Sequence, residues 1–443
     1  MTELLRRNIW AVRWALAIFL IALIVRLVFV FWLDPDPTYV NDDSWFYRYS
    51  AKAMVEGRGY VFPSRLVATA DHPPGYTALL ASVFLLPGPD WPAGQVLNSV
   101  LGALGCSLVF VLGMLAFGRA IGVVAGLLLT FFPSHIAWTA LPVTEVAYTT
   151  LTTAVLLLVM WTLRRGSDVR WTHAAGAGLA LGLTTMVRGE GLLLFLLFGV
   201  VWWITTHSLG RAAQLTGVAA LAVALVMGGW TVRNAVQLHA FVPLTTGHTV
   251  LLAVSHWDGA DGGGNWVRTI QVTNYYRGEP FPEREVKRSQ RQMRDAVKFA
   301  FTHPGKELSL IPERIFHLYQ NDNDAIDWIA HYPLPVGETT VDRLRVVSDA
   351  YFFAVGIAAL PGIVLLWRRR PEGAVLVGGT VFYLTALLGI VYFGTPRYHA
   401  SLVPLFCLAA APVAVAAWDA AASAIARGGP RTVPGASGLS DHH

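Results

Sequence analysis

The reactive chemistry of this sequence lies in a few acids and arginines that border apolar runs. The stretch Asp34-Pro-Asp-Pro-Thr-Tyr-Val-Asn-Asp-Asp-Ser-Trp-Phe-Tyr puts the pair Asp42-Asp43 shortly beyond an apolar run that ends at Leu33. Glu145 follows Pro142-Val-Thr, where another apolar run begins. Carboxylates converging at one depth can bind a sugar, a metal ion or an acceptor hydroxyl, and one of them can act as a general base. The bland alternative stands beside this one. Asn41 or Asp42 suits the cap of a helix over 44–56, and Glu145 suits a helix N-terminus. The complementary charge comes from Arg188 in Thr185-Met-Val-Arg-Gly-Glu-Gly, from Arg233-Asn234, and from Arg397-Tyr398-His399. Forked guanidinium donors match a phosphate or diphosphate. The same residues also suit interfacial anchors that snorkel. His72, in Asp71-His-Pro-Pro-Gly-Tyr, is either a further phosphate contact or an ordinary polar loop residue. No Walker-type phosphate loop, H-E-x-x-H motif or dinucleotide fingerprint is present, and Gly262-Gly263-Gly264 reads as a turn. No nucleic-acid partner is expected.

The elements that must hold these residues are membrane helices. The chain has 443 residues, 54% hydrophobic and 14% charged, with a mean hydropathy of +0.50. A soluble domain carries about a quarter charged residues. The apolar residues come in blocks of about 20, the length that crosses a ~30 Å hydrocarbon layer. Candidate spans lie near 14–33, 95–117, 120–138, 144–163, 172–187, 189–206, 212–231, 349–367, 373–393 and 399–418. The first is too long for a signal peptide and is read as an uncleaved span. The positive-inside rule then puts the N-terminus in the cytoplasm together with Arg119, the Arg164-Arg165-Arg170 cluster, Arg211 and Arg368-Arg369-Arg370. The apolar stretch 76–86 is too short to span and is placed at the interface. Two polar regions face outward, 34–94 and 233–348, the second with a surface helix over 283–301. The expected organisation is a catalytic transmembrane module over 1–232, an outer loop region over 233–348, C-terminal transmembrane helices over 349–426 and a disordered cytoplasmic tail over 427–443. Cys106 and Cys407 lie in apolar runs, which argues against a disulfide. Arg26, inside the first span, must face a partner or a cavity.

The order of these motifs resembles that of the GT-C membrane glycosyltransferases. It is more narrowly similar to the superfamily of dolichyl-phosphate-mannose–protein mannosyltransferases and aminoarabinose transferases. The matching residues are Asp42-Asp43 with Phe46 and Tyr47 after the first span, His72-Pro73-Pro74 in the same loop, and Glu145 opening a later span. Arg188 before Gly-Glu-Gly, Arg233-Asn234 followed by Phe241-Val-Pro-Leu-Thr-Thr246, and Arg397-Tyr398 before a span containing Pro404 complete the set. The resemblance covers about residues 1–420. It implies an all-α polytopic GT-C fold of about ten transmembrane helices and an inverting transfer on the outer face of the plasma membrane. The sugar, mannose or a pentose, would pass from a polyprenyl-phosphate donor to a lipid, glycan or protein acceptor. Asp42 would be the base, with Asp43 beside it and Glu145 assisting. His72, Arg188, Arg233, Arg397 and Tyr398 would hold the donor. No cofactor is implied, although a divalent cation is compatible with the class. The competing function is a flippase or transporter of lipid-linked sugars, which would line an inner pathway with polar groups and often shows inverted repeats.

Overall fold

The computed structural model describes residues 2–36 and 42–427, and these are almost wholly helical. Among them, strands are confined to a small antiparallel hairpin that pairs Val61–Phe62 with Val67–Ala68. Among the described residues eight helices are long and apolar enough to cross a membrane: Ile9–Leu33, Asp90–Phe117, Thr144–Leu163, Gly189–Thr206, Leu209–Leu238, Glu338–Arg369, Pro371–Val391 and Pro396–Ile425. A ninth is a pair, Arg119–Thr130 and Pro133–Ala140, bent by 59°. The bend has a local cause. Pro133 offers no amide to continue the helix and drives Phe132 into an extended conformation (φ −74°, ψ 113°). The remaining expected segment, the fifth, is the helix Trp171–Thr185, only 15 residues long. The short apolar stretch after Pro74 forms the 10-residue helix Gly75–Phe84, and the expected surface helix runs Glu283–Thr302. The tail beyond residue 427 lies outside the described residues, as does Asn41.

Helices in lipid gain little from excluding water from one another, so close packing of small residues holds them together. Gly178 shows this. A Cβ there would stand 2.7 Å from the Cα of Ala219, so helices Trp171–Thr185 and Leu209–Leu238 meet backbone to backbone. Larger buried side chains such as Phe110, Leu156, Phe198 and Trp202 fill the bundle core. Ile24, Val28 and Phe382 remain exposed on its outside, as expected where hydrocarbon is the solvent. Cys106 and Cys407 are both buried and free.

The two ends of the bundle differ in kind. At one end Arg119 lies 4.6 Å from the Trp10 ring, Arg164 donates to the Leu115 carbonyl and Arg211 to that of Val169. At the other, the two long polar segments interlock. Glu285, from the Glu283–Thr302 helix, is fully buried. It accepts from Thr69 Oγ1 (2.7 Å), the Ala70 amide (2.9 Å) and Thr246 Oγ1 (2.7 Å). The partner that the sequence left unnamed for Arg26 is now visible. Its Nη2 stands 2.8 Å from His135 Nδ1 in the bent pair, and its donors also reach the carbonyls of Ala22, Leu129 and Thr130. An intramembrane guanidinium thus finds acceptors in its own helix at Ala22 and, at Leu129 and Thr130, where a neighbouring helix breaks.

Candidate active site

The acidic pair divides as the helix Asp43–Val55 begins. Asp42 is its N-cap, and its Oδ1 accepts from the Ser44 amide (2.9 Å), the Trp45 amide (3.3 Å) and Ser44 Oγ (2.6 Å). Its Oδ2 accepts from Tyr332 Oη at 2.7 Å. Both oxygens are therefore engaged, Oδ1 in capping the helix and Oδ2 with Tyr332. Asp43, one residue on, projects away from the cap, and its Oδ2 lies 2.8 Å from Arg397 Nη2.

Arg397 is the hub. Its Nε donates to Glu145 Oε1, its backbone amide donates to Asp324 Oδ2 at 2.7 Å, and its guanidinium lies over the Trp328 ring at 4.1 Å. Glu145 sits in the first turn of Thr144–Leu163 with its side chain 2% exposed. The same Oε1 accepts from Arg188 Nη1 at 2.7 Å. Arg188 also forks onto Glu190, Nη2 to Oε1 at 2.7 Å and Nε to Oε2 at 3.0 Å. Tyr398 lies under Arg188, its ring 5.7 Å from the guanidinium carbon. Glu145 Oε2 has no protein partner, and neither have Ser134 Oγ or His135 Nε2, which line the same narrow gap.

His72 extends the network. Its Nε2 is 3.8 Å from Asp43 Oδ1 and its Nδ1 is 3.2 Å from Asp71 Oδ2, while its ring lies between Phe46 and Tyr47. Arg288 of the Glu283–Thr302 helix closes the line on Asp71 Oδ1 at 3.0 Å. Burial works to lower the His72 pKa, but the carboxylates of Asp43 and Asp71 together outweigh it and hold it at about 9. Burial likewise works to raise the Asp43 pKa, but Arg397 and then His72 hold its carboxyl well below the usual range. The line therefore alternates in sign through Arg288, Asp71, His72, Asp43, Arg397, Glu145, Arg188 and Glu190.

Among the expected site residues, Asp43, Glu145, His72, Arg188, Arg397 and Tyr398 come together. Asp42 adjoins them but is turned to its cap. Arg233 stands apart, donating to the Thr69 (2.6 Å) and Tyr60 (2.7 Å) carbonyls and stacking on Trp230, so it holds the loop that carries His72. Sequence reasoning passed over Asp71, Arg288, Asp324, Trp328 and Tyr332. The last four come from the long polar segment, where the run Asn321-Asp-Asn-Asp324 was the one local signal. The Gly-rich turn also proves to be structural. Gly394 donates its amide to the Gly262 carbonyl at 2.8 Å, three residues before Arg397. Among the described residues no three His, Cys, Asp or Glu side chains group so as to hold a metal ion.

The chain matches no protein-family model and no curated protein. Its fold does match solved structures. The archaeal oligosaccharyltransferase AglB from Archaeoglobus fulgidus, in complex with an inhibitory peptide and a dolichol-phosphate, is 14% identical with a TM-score of 0.54. That match covers 95% of this chain and 52% of the other. The same enzyme tethered to an acceptor peptide containing an NVT sequon matches with the same figures. ArnT from Cupriavidus metallidurans, bound to undecaprenyl phosphate, is 14% identical with a TM-score of 0.44, over 96% of this chain and 81% of the other. This chain spans about half the length of the oligosaccharyltransferase chains it matches. What the likeness establishes is architecture: this is an all-α polytopic membrane protein of the GT-C fold.

Proposed function

We propose that this chain is an inverting glycosyltransferase that moves a sugar from a polyprenyl-phosphate donor to an acceptor at the outer face of the plasma membrane. The alternating line of four acids and four cations, centred on Arg397 between Asp43 and Glu145, is the observation that carries this reading. It lies at the end of the bundle away from the basic turns, the end that the positive-inside rule assigns to the outside. The reading is also supported by a fold shared with an oligosaccharyltransferase solved with dolichol-phosphate.

The chemistry follows from the charges. The bond from the anomeric carbon to the carrier phosphate breaks with its electron pair going to the phosphate, and this leaving group needs cations rather than a general acid. Arg397 and Arg188 are placed to supply them. Within the chain their charge is taken up by Asp43, Glu145 and Glu190. A phosphate that engages Arg397 draws it from Asp43 and removes the chief cation that keeps Asp43 weakly basic. Asp43 thus gains basicity when the donor arrives, and accepts the proton of the acceptor hydroxyl as its oxygen attacks the opposite face of the anomeric carbon. Asp42 fixes the helix start that aims Asp43. His72 faces the far oxygen of Asp43, and Glu145 keeps an unpaired Oε2 beside Ser134 and His135.

The test is donor consumption by membranes containing the chain. Polyprenyl phosphate is released from a labelled mannosyl or pentosyl carrier by the unmodified chain, and release falls by at least about 10²-fold in Arg397→Gln. Full release by Arg397→Gln removes the phosphate role assigned to that residue.

A further inference from the structure

A second cluster of cations lies outside this line, on the extramembrane segments. Arg65 follows the first strand of the hairpin, Arg277 lies in the turns after Trp266–Thr273, and Arg284 and Arg288 lie on Glu283–Thr302. Arg284 lies within the electrostatic reach of the other three, which add to burial in lowering its pKa. Phe281 organises the group, with the Arg65 guanidinium 4.3 Å from its ring centre and that of Arg284 at 5.7 Å. These cation–π contacts hold both guanidiniums against one ring.

These cations are poorly answered by the protein. Arg65 and Arg277 are exposed. Arg284 reaches only the carbonyls of Arg277 and Thr273, each at 3.4 Å. The Nε atoms of Arg284 and Arg288 are buried without a partner. Nearby acids are engaged elsewhere. Glu285 points inward to Thr69, Ala70 and Thr246, Glu279 pairs with Lys287, and Glu283 lies in the field of that same lysine. Among the described residues Asp71 alone answers the group, through Arg288. Three guanidinium charges thus stand without a carboxylate, and two orphaned N–H donors sit among them. Holding like charges together is unfavourable unless a ligand of opposite sign is to be bound.

We propose that Arg65, Arg277, Arg284 and Arg288, organised on Phe281, form a binding site for a phosphate or diphosphate group distinct from the Arg397 site. A single carboxylate would neutralise one charge, whereas a phosphate offers two and enough oxygens for several forked donors. The site is coupled to the candidate active site, because Arg288 shares Asp71 with His72 and His72 faces Asp43. An anion that draws Arg288 from Asp71 tightens the Asp71–His72 pair. The ligand is a phosphate borne by an acceptor substrate or by a lipid headgroup. Only the link to transfer rests on the glycosyltransferase reading; the binding does not.

The test uses the full chain in nanodiscs and inorganic pyrophosphate as the titrant, read by calorimetry. Binding is expected at low salt, weakened about tenfold or more in Arg65→Ala/Arg277→Ala and unchanged in Arg294→Ala/Lys298→Ala, which lie outside the cluster on the same helix. Discs of phosphatidylglycerol and of phosphatidylcholine separate the sources. Weaker pyrophosphate binding in phosphatidylglycerol points to a lipid headgroup, and equal binding in both points to an acceptor-borne phosphate. Absence of pyrophosphate binding, or equal losses in the two double variants, overturns the site. Pyrophosphate binding without donor turnover would sink the transferase reading alone, and turnover without this binding would sink the anion site alone.

Discussion

At the scale of the residue, the neighbours Asp42 and Asp43 differ in role because a helix begins between them. Asn caps a helix as well as Asp, so Asp42→Asn should change stability by less than about 1 kcal/mol and leave most of the transfer activity. Asp43→Asn should lower kcat by about 10²–10⁴-fold, the range for loss of a positioned base. Steady-state transfer kinetics of the two variants measure the difference. The resemblance implies Asp42 as the base with Asp43 beside it, and nothing in an Asp-Asp dipeptide tells which carboxylate turns back to the amides and which faces a partner some 350 residues away in the chain. The cap was legible, because Asp before a helical pattern has a local cause. His72 gives a pH test. Its ordinary pKa is about 6.5 and its folded value about 9. Its protonated form therefore adds stability that is fully present below about 6.5 and is lost as pH rises through about 9. The thermal midpoint should fall across that window, and His72→Gln should flatten this part of the profile.

At the scale of the element, the site depends on two docked segments. The turn through Gly262 has φ +92°, and a Cβ there would stand 2.8 Å from the Glu313 carbonyl carbon and 2.9 Å from the Arg314 amide. Gly262→Ala is therefore expected to disturb the contact with Gly394 and, through it, Arg397. Transfer should fall more than helix content, as checked by parallel kinetics and circular dichroism. The Glu283–Thr302 helix was readable in outline from its charge pattern. Its inward carboxylate was not, since Glu285 is one of four Glu and Asp residues on the segment from Glu279 to Asp295 and only tertiary contact selects it. Glu285→Ala leaves three buried donors without their acceptor and should destabilise the chain by about 3 kcal/mol, with faster amide exchange at residues 69–71. Glu285→Gln, which keeps an oxygen and the shape, should lose less. The bent pair shows the reverse case. Pro133 announces the break, but not that the carbonyls it frees receive Arg26.

At the scale of the whole molecule, hydropathy blocks located the membrane helices, and the structure finds a helix at each of the ten expected segments. The fifth is shorter than a full span and the third is bent. Length and composition were legible because a bilayer imposes them on each helix separately. The convergence of Asp43, Glu145, Arg188 and Arg397 was only partly so, because it depends on four helix ends meeting through side chains far apart in sequence. Burying this many charges together is tolerable only while acids and bases balance. Removing one member, as in Arg397→Gln, should therefore lower stability as well as activity. A substrate phosphate can replace an internal carboxylate without leaving a charge unpaired, which is why such a network suits a phosphate-linked donor.

The most direct measurement follows the anomeric configuration of the sugar through one turnover. Membranes containing the chain would be supplied with a polyprenyl-phosphate donor labelled at the anomeric carbon, alongside membranes containing Asp43→Asn. The account predicts that the label leaves the carrier, that the product carries it with inverted configuration, and that Asp43→Asn abolishes this while still binding the donor. Retained configuration, undiminished transfer by Asp43→Asn, or intact labelled lipid recovered on the opposite leaflet would contradict it.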